Sequence, residues 1–241
     1  MARDRHALQI LEAQKNPALP PTCELKGGFC RILEADVEMH KLLGRRDGPL
    51  PTCPETADCA VLSFLSGCTK PIELEIGSGM GRFLVARAKN HPDTHFLGIE
   101  LERVRIAKTD VDARTAGIDN INLICMEAMK LLEFCLPAAS ITAVYLFFPD
   151  PWPKARQEKK RIFKSDFINR LHRVLKRKGL LHVATDFAPY FAQMTEVMAA
   201  DKRFTETEPL KRTDDELTDF ELKFLSANKP TSVASWYKND N

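Results

Sequence analysis

The sequence predicts an α/β fold with a doubly wound, mostly parallel sheet. From Pro71 onward, short apolar runs of strand length alternate with segments of helical periodicity. Parallel strands need crossovers between them, so this alternation is typical of a sheet that is covered by helices on both faces. Ligands of such sheets bind at the carboxyl ends of the strands. We therefore expect the functional site at that edge.

The individual elements follow from the apolar pattern. The predicted strands cover residues 72–76, 95–100, 121–125, 141–148 and 180–185. The predicted helices cover residues 82–90, 102–116, 128–135 and 188–200, with a further helix after Ser165. Gly117 is expected to end the second helix as a left-handed cap. Ser165 is expected to cap the fourth helix, which Gly179 ends.

The first 65 residues lack this alternation. They contain a proline-rich linker at 16–23 and predict a partly flexible N-terminal arm, so that residues 66–241 form the α/β domain. No segment offers the roughly 18 uncharged apolar residues of a membrane helix, and the amino terminus lacks the apolar centre of a signal peptide. The seven cysteines contain no C-x-x-C pair. These features favour a soluble, cytoplasmic protein with reduced thiols and without a metal site.

Basic residues cluster in one part of the chain. The net charge is only +2, but residues 150–178 contain 11 Lys and Arg against three acids. Such a cluster neutralises phosphates, and the neighbouring Trp152 can stack on an exposed base. The pattern indicates a nucleic acid partner, with a solvated charged loop as the alternative. Five of the cations lie within eight residues: Lys154, Arg156, Lys159, Lys160 and Arg161.

A glycine-rich turn joins the first predicted strand to the first helix. After Glu75, the glycines Gly77, Gly79 and Gly81 allow a sharp turn and a close approach of a ligand to the backbone. A dinucleotide fingerprint would need its third glycine at position 82, where this chain has Arg82. The turn therefore disfavours a pyrophosphate-bearing ligand.

Three acids stand at the ends of the first three strands. Glu75 precedes the glycine turn, and Glu100 closes the second strand, where it can accept hydrogen bonds from both hydroxyls of a ribose. Glu127 follows the third strand and either accepts from an adenine amino group or interacts with a helix dipole. Carboxylates at these positions suit a cationic, adenosine-like ligand. We therefore expect S-adenosylmethionine as the cofactor and S-adenosylhomocysteine as the product.

A proline-rich segment follows the fourth strand. The prolines on either side of Asp150 stiffen the backbone and hold this acid at the carboxyl edge of the sheet, beside the reactive methyl group. Asp186 ends the fifth strand at the same edge. Thr218 and Glu221 lie in an acid-rich stretch, and Glu221 is a candidate partner for the Watson–Crick edge of a guanine.

Together these residues resemble the tRNA (guanine-N7)-methyltransferase family in its single-chain bacterial form. The resemblance implies a seven-stranded sheet of the class I, Rossmann-like type that uses S-adenosylmethionine. It also implies methylation of N7 of the guanine at position 46, in the variable loop of tRNA. The family usually has Asp where this chain has Glu127. The matching blocks are residues 74–81, 96–100, 146–152 together with 154–156 and 160–161, 184–186 and 218–221.

The resemblance also assigns residues to roles. Asp150 would be the catalytic residue, which orients the reactants and stabilises charge. No membrane, metal or obligatory protein partner is implied. The cofactor site would contain Glu75, Gly77, Gly79, Gly81, Glu100, Glu127 and Asp150. The guanosine site would contain Lys154, Asp186, Thr218 and Glu221. The tRNA would contact Arg156, Lys159, Lys160 and Arg161.

Two other functions stay open from the sequence. The segment from Asp150 to Trp152 is similar to the Asp-Pro-Pro-aromatic pattern of amino-group methyltransferases that act on adenine or protein, although the second proline is absent. A non-catalytic RNA-binding module with a vestigial cofactor pocket is the other alternative. The intact glycine turn, Glu100 and Asp150 argue against it.

Overall fold

The fold is described from a computed structural model. The structure describes residues 31–33, 65 and 67–240, and of residues 31–33 it describes the backbone alone. Apart from residues 31–33 and 65, the predicted N-terminal arm lies outside the described residues, as do its proline-rich linker and its four cysteines.

Among the described residues, eight strands form one mixed sheet in the order β1-β4-β3-β2-β5-β6-β8-β7. The strands β1 to β6 pair in parallel, whereas β8 pairs antiparallel with both β6 and β7. The predicted doubly wound, mostly parallel sheet is therefore confirmed, and β1 is an edge strand that the sequence did not predict. The strands are β1 (Arg31–Leu33), β2 (Ile72–Ile76), β3 (His95–Glu100), β4 (Ile121–Cys125), β5 (Ile141–Phe147), β6 (Leu175–Thr185), β7 (Phe204–Thr207) and β8 (Ser232–Lys238).

Helices cover both faces of this sheet. Helices α1 and α2 pack on one face, and α4 and α5 pack on the other through residues such as Phe167 and Met194, which are fully buried. A π-helical turn, Leu131–Cys135, continues α3, and short 3-10 turns cover Ala155–Lys160 and Asp214–Glu216. The helices are α1 (Arg82–Asn90), α2 (Arg103–Thr115), α3 (Ala128–Lys130), α4 (Ser165–Val174), α5 (Ala188–Ala199) and α6 (Asp219–Ser226).

Two predicted helix boundaries were wrong and one was confirmed. Gly117 follows α2 with a φ of 68°, as expected for a left-handed cap. Lys164, not Ser165, is the N-cap of α4, and no side chain caps that end. Helix α4 ends at Val174 and not at Gly179 as predicted. The next residue, Leu175, is buried beside Ile141 as the first residue of β6.

The strand order reverses between β2 and β5. From β2 the chain builds β3 and β4 on one side, and it then returns to β5 on the other side. The crossovers on either side of this point diverge, which leaves a crevice at the carboxyl ends of β2 and β5. No helix in the described part of the chain is long and apolar enough to cross a membrane.

Candidate active site

A cleft of about 950 Å³ opens at the carboxyl ends of β2 to β5. This volume lies within the range of small-molecule and cofactor sites. Its walls come from the glycine turn, the segment after β5, the basic turn and the first residues of α6. The predicted site residues that line it are Glu75, Gly77, Gly79, Glu100, Glu127, Asp150, Lys160, Arg161 and Thr218.

Hydrogen bonds join the glycine turn to the end of β3. The N–H groups of Gly77 and Ser78 both donate to the carbonyl of Ile99 at 2.9 Å, and the N–H of Gly79 donates to Oε2 of Glu100 at 3.0 Å. Gly77 and Gly79 adopt φ values of 77° and 56°, which strain other residues. The turn therefore has a fixed shape on the floor of the cleft.

Gly81 has a different role from the one predicted. It is absent from the lining of the cleft. A Cβ on Gly81 would lie 2.2 Å from Cγ2 of the buried Thr109 on α2. Gly81 therefore allows α1 and α2 to pack closely, and this contact supports the glycine turn.

Glu75 and Glu100 place two buried carboxyl groups side by side in the cleft. Glu75 is 3% exposed, and burial, together with the charge of Glu100, raises its pKa to about 8, against the opposing effect of Arg212. Its Oε2 has no hydrogen-bond partner among the described residues. A buried polar atom without a partner is costly. The site is therefore complementary to a ligand that brings a donor or a positive charge.

Glu100 is held in place by the backbone around it. Its Oε1 accepts hydrogen bonds from the N–H groups of Leu101 and Glu102 at 2.7 and 3.1 Å. Its Oε2 accepts from the N–H of Gly79 and lies 3.7 Å from Nη1 of Arg105. A carboxylate has about four lone-pair sites, so one position is left for the donor of a ligand.

Glu127 begins α3 without capping it. It occupies the N-cap position, but its side chain makes no capping hydrogen bond. The residue is exposed and lines the cleft. The geometry thus gives no support to a capping role and leaves the carboxylate available to a ligand.

The segment after β5 holds Asp150 at the mouth of the cleft. Phe148 and Trp152 adopt φ values of 50° and 42°, a conformation that costs non-glycine residues on the order of 1–3 kcal/mol. Asp150 is exposed and lines the cleft. No side chain in the described part of the chain forms a hydrogen bond with its carboxylate.

Arg161 holds this segment through hydrogen bonds to its backbone. Its Nε donates to the carbonyl of Pro151 at 2.8 Å and its Nη2 to the carbonyl of Trp152 at 3.4 Å. A third bond, at 2.8 Å, joins Nη1 to Gln193 on α5. Arg161 is 4% exposed. The guanidinium of Arg161 therefore holds the Asp150 segment, and the contact of Arg161 with tRNA stays a prediction.

The other cations form an exposed surface beside the cleft. Arg156, Lys159 and Lys160 lie on the 3-10 turn that follows Lys154, and all four residues are exposed. The Nζ of Lys160 lies 4.5 Å from the centre of the Trp152 ring. Lys160 and Trp152 line the cleft, whereas Lys154 does not. The basic surface therefore reaches the cleft through these two side chains.

The carboxylate of Glu221 is already used inside the protein. It completes a capping box with Thr218 at the start of α6, and it forms a two-point ion pair with Arg212, with one contact at 2.8 Å. Glu221 is 5% exposed. In this arrangement both oxygens of Glu221 have partners inside the protein, and the pairing of Glu221 with a guanine edge stays a prediction.

Asp186 also lies apart from the cleft. It forms an ion pair with Lys229 and is not among the lining residues. Of the residues predicted for the guanosine site, only Thr218 lines the cleft. The residue two positions beyond it, Phe220, also lines the cleft. The sequence analysis missed it, although a large apolar residue within an acid-rich stretch could have indicated a binding residue.

Comparison with known proteins assigns this architecture to a family. The family model described as "Putative methyltransferase" matches residues 69–234. Among the solved structures, a 30S ribosomal A1408 methyltransferase from an uncultured bacterium superposes with a TM-score of 0.51 at 15% identity. The superposition covers 76% of this chain and 95% of that one. At this identity the likeness concerns the fold alone.

Curated relatives match the same region at higher identity. A protein named tRNA (guanine-N(7)-)-methyltransferase from Edwardsiella ictaluri is 43% identical over 150 residues, which cover 62% of this chain and 63% of the relative. A protein of the same name from Yersinia pestis is 44% identical over 138 residues, covering 57% of this chain and 58% of the relative. The matched region thus spans less than two thirds of the length of these relatives.

Proposed function

Because the chain belongs to the methyltransferase family whose model matches residues 69–234, we propose that it methylates N7 of the guanine at position 46 in tRNA. S-adenosylmethionine is the proposed donor. One observation carries the proposal: a single cleft joins the buried acids Glu75 and Glu100 to the exposed Asp150, beside a basic turn. The names of the curated relatives support the substrate.

The residues of the cleft fit S-adenosylmethionine. Among the described residues, the buried Oε2 of Glu75 has no hydrogen-bond partner. We expect Glu100 to accept from the ribose hydroxyls and Glu127 to accept from the adenine amino group. When bound, this cofactor supplies a methyl group on a positively charged sulfur. The acids provide binding and orientation, and the glycine turn lets the backbone approach closely.

Guanine N7 needs little activation by the protein. It carries an in-plane lone pair and no proton, so no general base has to create the nucleophile. The main task is alignment, for which roughly 7–11 kcal/mol of the barrier is available. The purine gains positive charge during transfer, and a nearby carboxylate stabilises that charge. Asp150, at the mouth of the cleft, is the proposed catalytic residue.

The exposed cations are the proposed contact surface for the tRNA backbone. Arg156 and Lys159 neutralise phosphates, and Lys160 with Trp152 connects this surface to the cleft. N7 is crowded within a folded tRNA, so the target base must be partly unstacked before it reaches the site. Trp152 is positioned to stack on a nucleotide near the cleft.

The proposed function is tested with unmodified tRNA transcripts. Transcripts with guanine in the variable loop should accept a labelled methyl group, and otherwise identical transcripts with adenine there should not. Borohydride reduction and aniline treatment should then cleave the product at the methylated position, since this reaction reports N7-methylguanosine. Methylation without cleavage would instead favour the amino-group methyltransferase. If neither labelling nor calorimetric binding of S-adenosylmethionine is seen, the non-catalytic alternative is favoured.

Cofactor binding should depend on pH through Glu75. With a pKa of about 8, this carboxyl is largely protonated at pH 7 in the protein without ligand. A bound cation favours its ionised form, so binding releases a proton and should strengthen from pH 6 to 8, by at most about tenfold per pH unit. Calorimetry in buffers of different ionisation enthalpy counts the released protons.

The matched control for this effect is Glu75→Gln. It removes the titrating group, so its proton release should be smaller than that of the wild type, while the amino group of the ligand titrates equally in both. Equal proton release from the two proteins would show that Glu75 does not respond to the cofactor.

A further inference from the structure

Phe220 presents a large apolar ring at the mouth of the cleft. The residue is 53% exposed, and it lines the cleft together with Asp150 and Trp152. An exposed aromatic ring beside convergent polar groups is typical of a surface that a ligand covers. The proposed cofactor contacts do not use this ring.

Two other aromatic rings pack against the ring of Phe220. Its centroid lies 5.9 Å from that of Phe148 and 6.1 Å from that of Phe224, with interplanar angles of 31° and 24°. Phe148 and Phe224 also contact each other, at 5.5 Å. We call these three rings the phenylalanine cluster. Its geometry fixes the plane of Phe220 because each ring packs on the other two.

The backbone of Phe220 is fixed as well. Phe220 is the second residue of α6, whose first turn is closed by the capping box of Thr218 and Glu221. The residue before this box, Leu217, accepts a hydrogen bond at 3.0 Å from Nε of Arg82 on α1. The ring is therefore preorganised, which lowers the entropy that a ligand loses on contact.

The same cluster leads directly to Asp150. Phe148 stands two residues before Asp150, in the strained segment that Arg161 holds. Phe148 therefore links the two residues, because its ring packs on Phe220 and its backbone leads to Asp150. Phe220 and Asp150 line the same cleft, so we expect a planar ligand on the ring to reach Asp150.

We propose that Phe220, backed by Phe148 and Phe224, is the stacking surface for the purine base that receives the methyl group. This inference rests on the proposed function. Every base has a π-face, so stacking contributes affinity and orientation without distinguishing guanine from adenine. The choice of guanine must then come from contacts to the edge of the base.

The inference predicts a loss of substrate affinity when the ring is removed. Phe220→Ala and Phe220→Leu should each raise KM for tRNA, or lower kcat/KM, by about 5- to 100-fold, as expected for one lost base–aromatic stack. Phe220→Tyr should stay near the wild type because it keeps the ring. Binding of S-adenosylmethionine should be unchanged in all three variants.

Leu225→Ala is the matched control on the same helix. Leu225 is 60% exposed but does not line the cleft, so its removal tests whether any exposed apolar side chain of α6 gives the same effect. It should leave KM and kcat unchanged.

A spectroscopic probe separates stacking from a structural role. When 2-aminopurine replaces the target guanine, stacking on a ring should quench its fluorescence on binding, and Phe220→Leu should restore the signal. The salt dependence gives a second distinction. Phe220→Leu should keep the slope of log K against log salt, whereas the double variant Arg156→Ala, Lys159→Ala should reduce it by up to about two.

The outcomes separate the inference from the proposed function. If the wild type methylates guanine in tRNA but the alanine and leucine variants retain its kinetics and its quenching, the stacking role is overturned and the proposed function stands. If the wild type transfers no methyl group to tRNA, the proposed function fails first, and the stacking role fails with it.

Discussion

Replacing Asp150 with asparagine should lower kcat for the proposed methyl transfer to tRNA by at least about 100-fold, the usual effect of removing one preorganised electrostatic contact in an active site. Asparagine keeps the size of the side chain but loses the negative charge that, in the proposed function, stabilises the methylated purine as it becomes positive. The dissociation constant of S-adenosylmethionine should change by less than about threefold, because an interaction made in the transition state alone alters kcat.

Single-turnover kinetics at saturating tRNA, combined with calorimetry of cofactor binding, check this result. Asp93→Asn is the charge-matched control, since Asp93 is exposed and lies outside the cleft. It should be indistinguishable from the wild type. A near-normal rate in Asp150→Asn would remove this carboxylate from the reaction. Equal losses of rate and of cofactor affinity would make Asp150 a binding residue.

The sequence predicted most of the sheet because strands and helices differ in their local period. The strands β2 to β5 have the expected positions to within a residue, since their apolar runs alternate with helical patterns. The start of β6 was missed because residues from Leu175 onward also continue the helical pattern. What decides the boundary is the burial of Leu175 beside Ile141, a contact between distant positions. The final strands, β7 and β8, were not predicted either. The four residues of β7 read Phe-Thr-Glu-Thr, and Phe204 alone among them is apolar and buried, so no apolar run marks this strand.

The acids of the cleft were predictable from topology alone. Glu75 and Glu100 lie at the ends of β2 and β3, Asp150 follows β5, and parallel strands bring their carboxyl ends to one edge. The roles of Gly81 and Arg161 were not predictable in this way, because each depends on a partner on another element. Gly81 faces Thr109 on α2, and Arg161 holds the carbonyls of the preceding segment. A basic run in the sequence does not reveal which of its cations is turned inward.

Glu221 shows the same limit of sequence reasoning. A Thr-x-x-Glu pattern before a helix indicates a capping box, but the position of Arg212 nine residues earlier gave no hint of an ion pair. The side chains of Arg212 and Glu221 are 9% and 6% exposed. The guanidinium also lies 4.7 Å from the centre of the Phe147 ring. This pair joins the segment before α6 to the end of β5, and it thereby supports both the phenylalanine cluster and the cleft.

Replacing Arg212 with methionine should destabilise the protein by about 3–5 kcal/mol at pH 7, because it leaves a buried carboxylate without its partner. Burial alone would raise the pKa of Glu221, but hydrogen bonds from Arg212 and from the Thr218 N–H outweigh it and hold the pKa below its usual range. A lowered pKa in the folded state stabilises the protein at pH values above the unfolded pKa, about 4.3. The destabilisation should therefore shrink as the pH falls below that value. Urea unfolding at pH 7 and near pH 4 measures it.

A double-mutant cycle shows whether the cost comes from the unpaired charge. In Arg212→Met combined with Glu221→Gln, the remaining side chain is neutral, so part of the lost stability should return and the pH dependence should weaken. Lys108→Met is the control at a more exposed pair, Lys108 with Asp112, whose side chains are 35% and 40% exposed, where the loss should stay below about 1 kcal/mol. If Arg212→Met were no more harmful than this control, the pair would not hold α6 in place. The preorganisation of Phe220 would then have to come from Arg82 and the phenylalanine cluster alone.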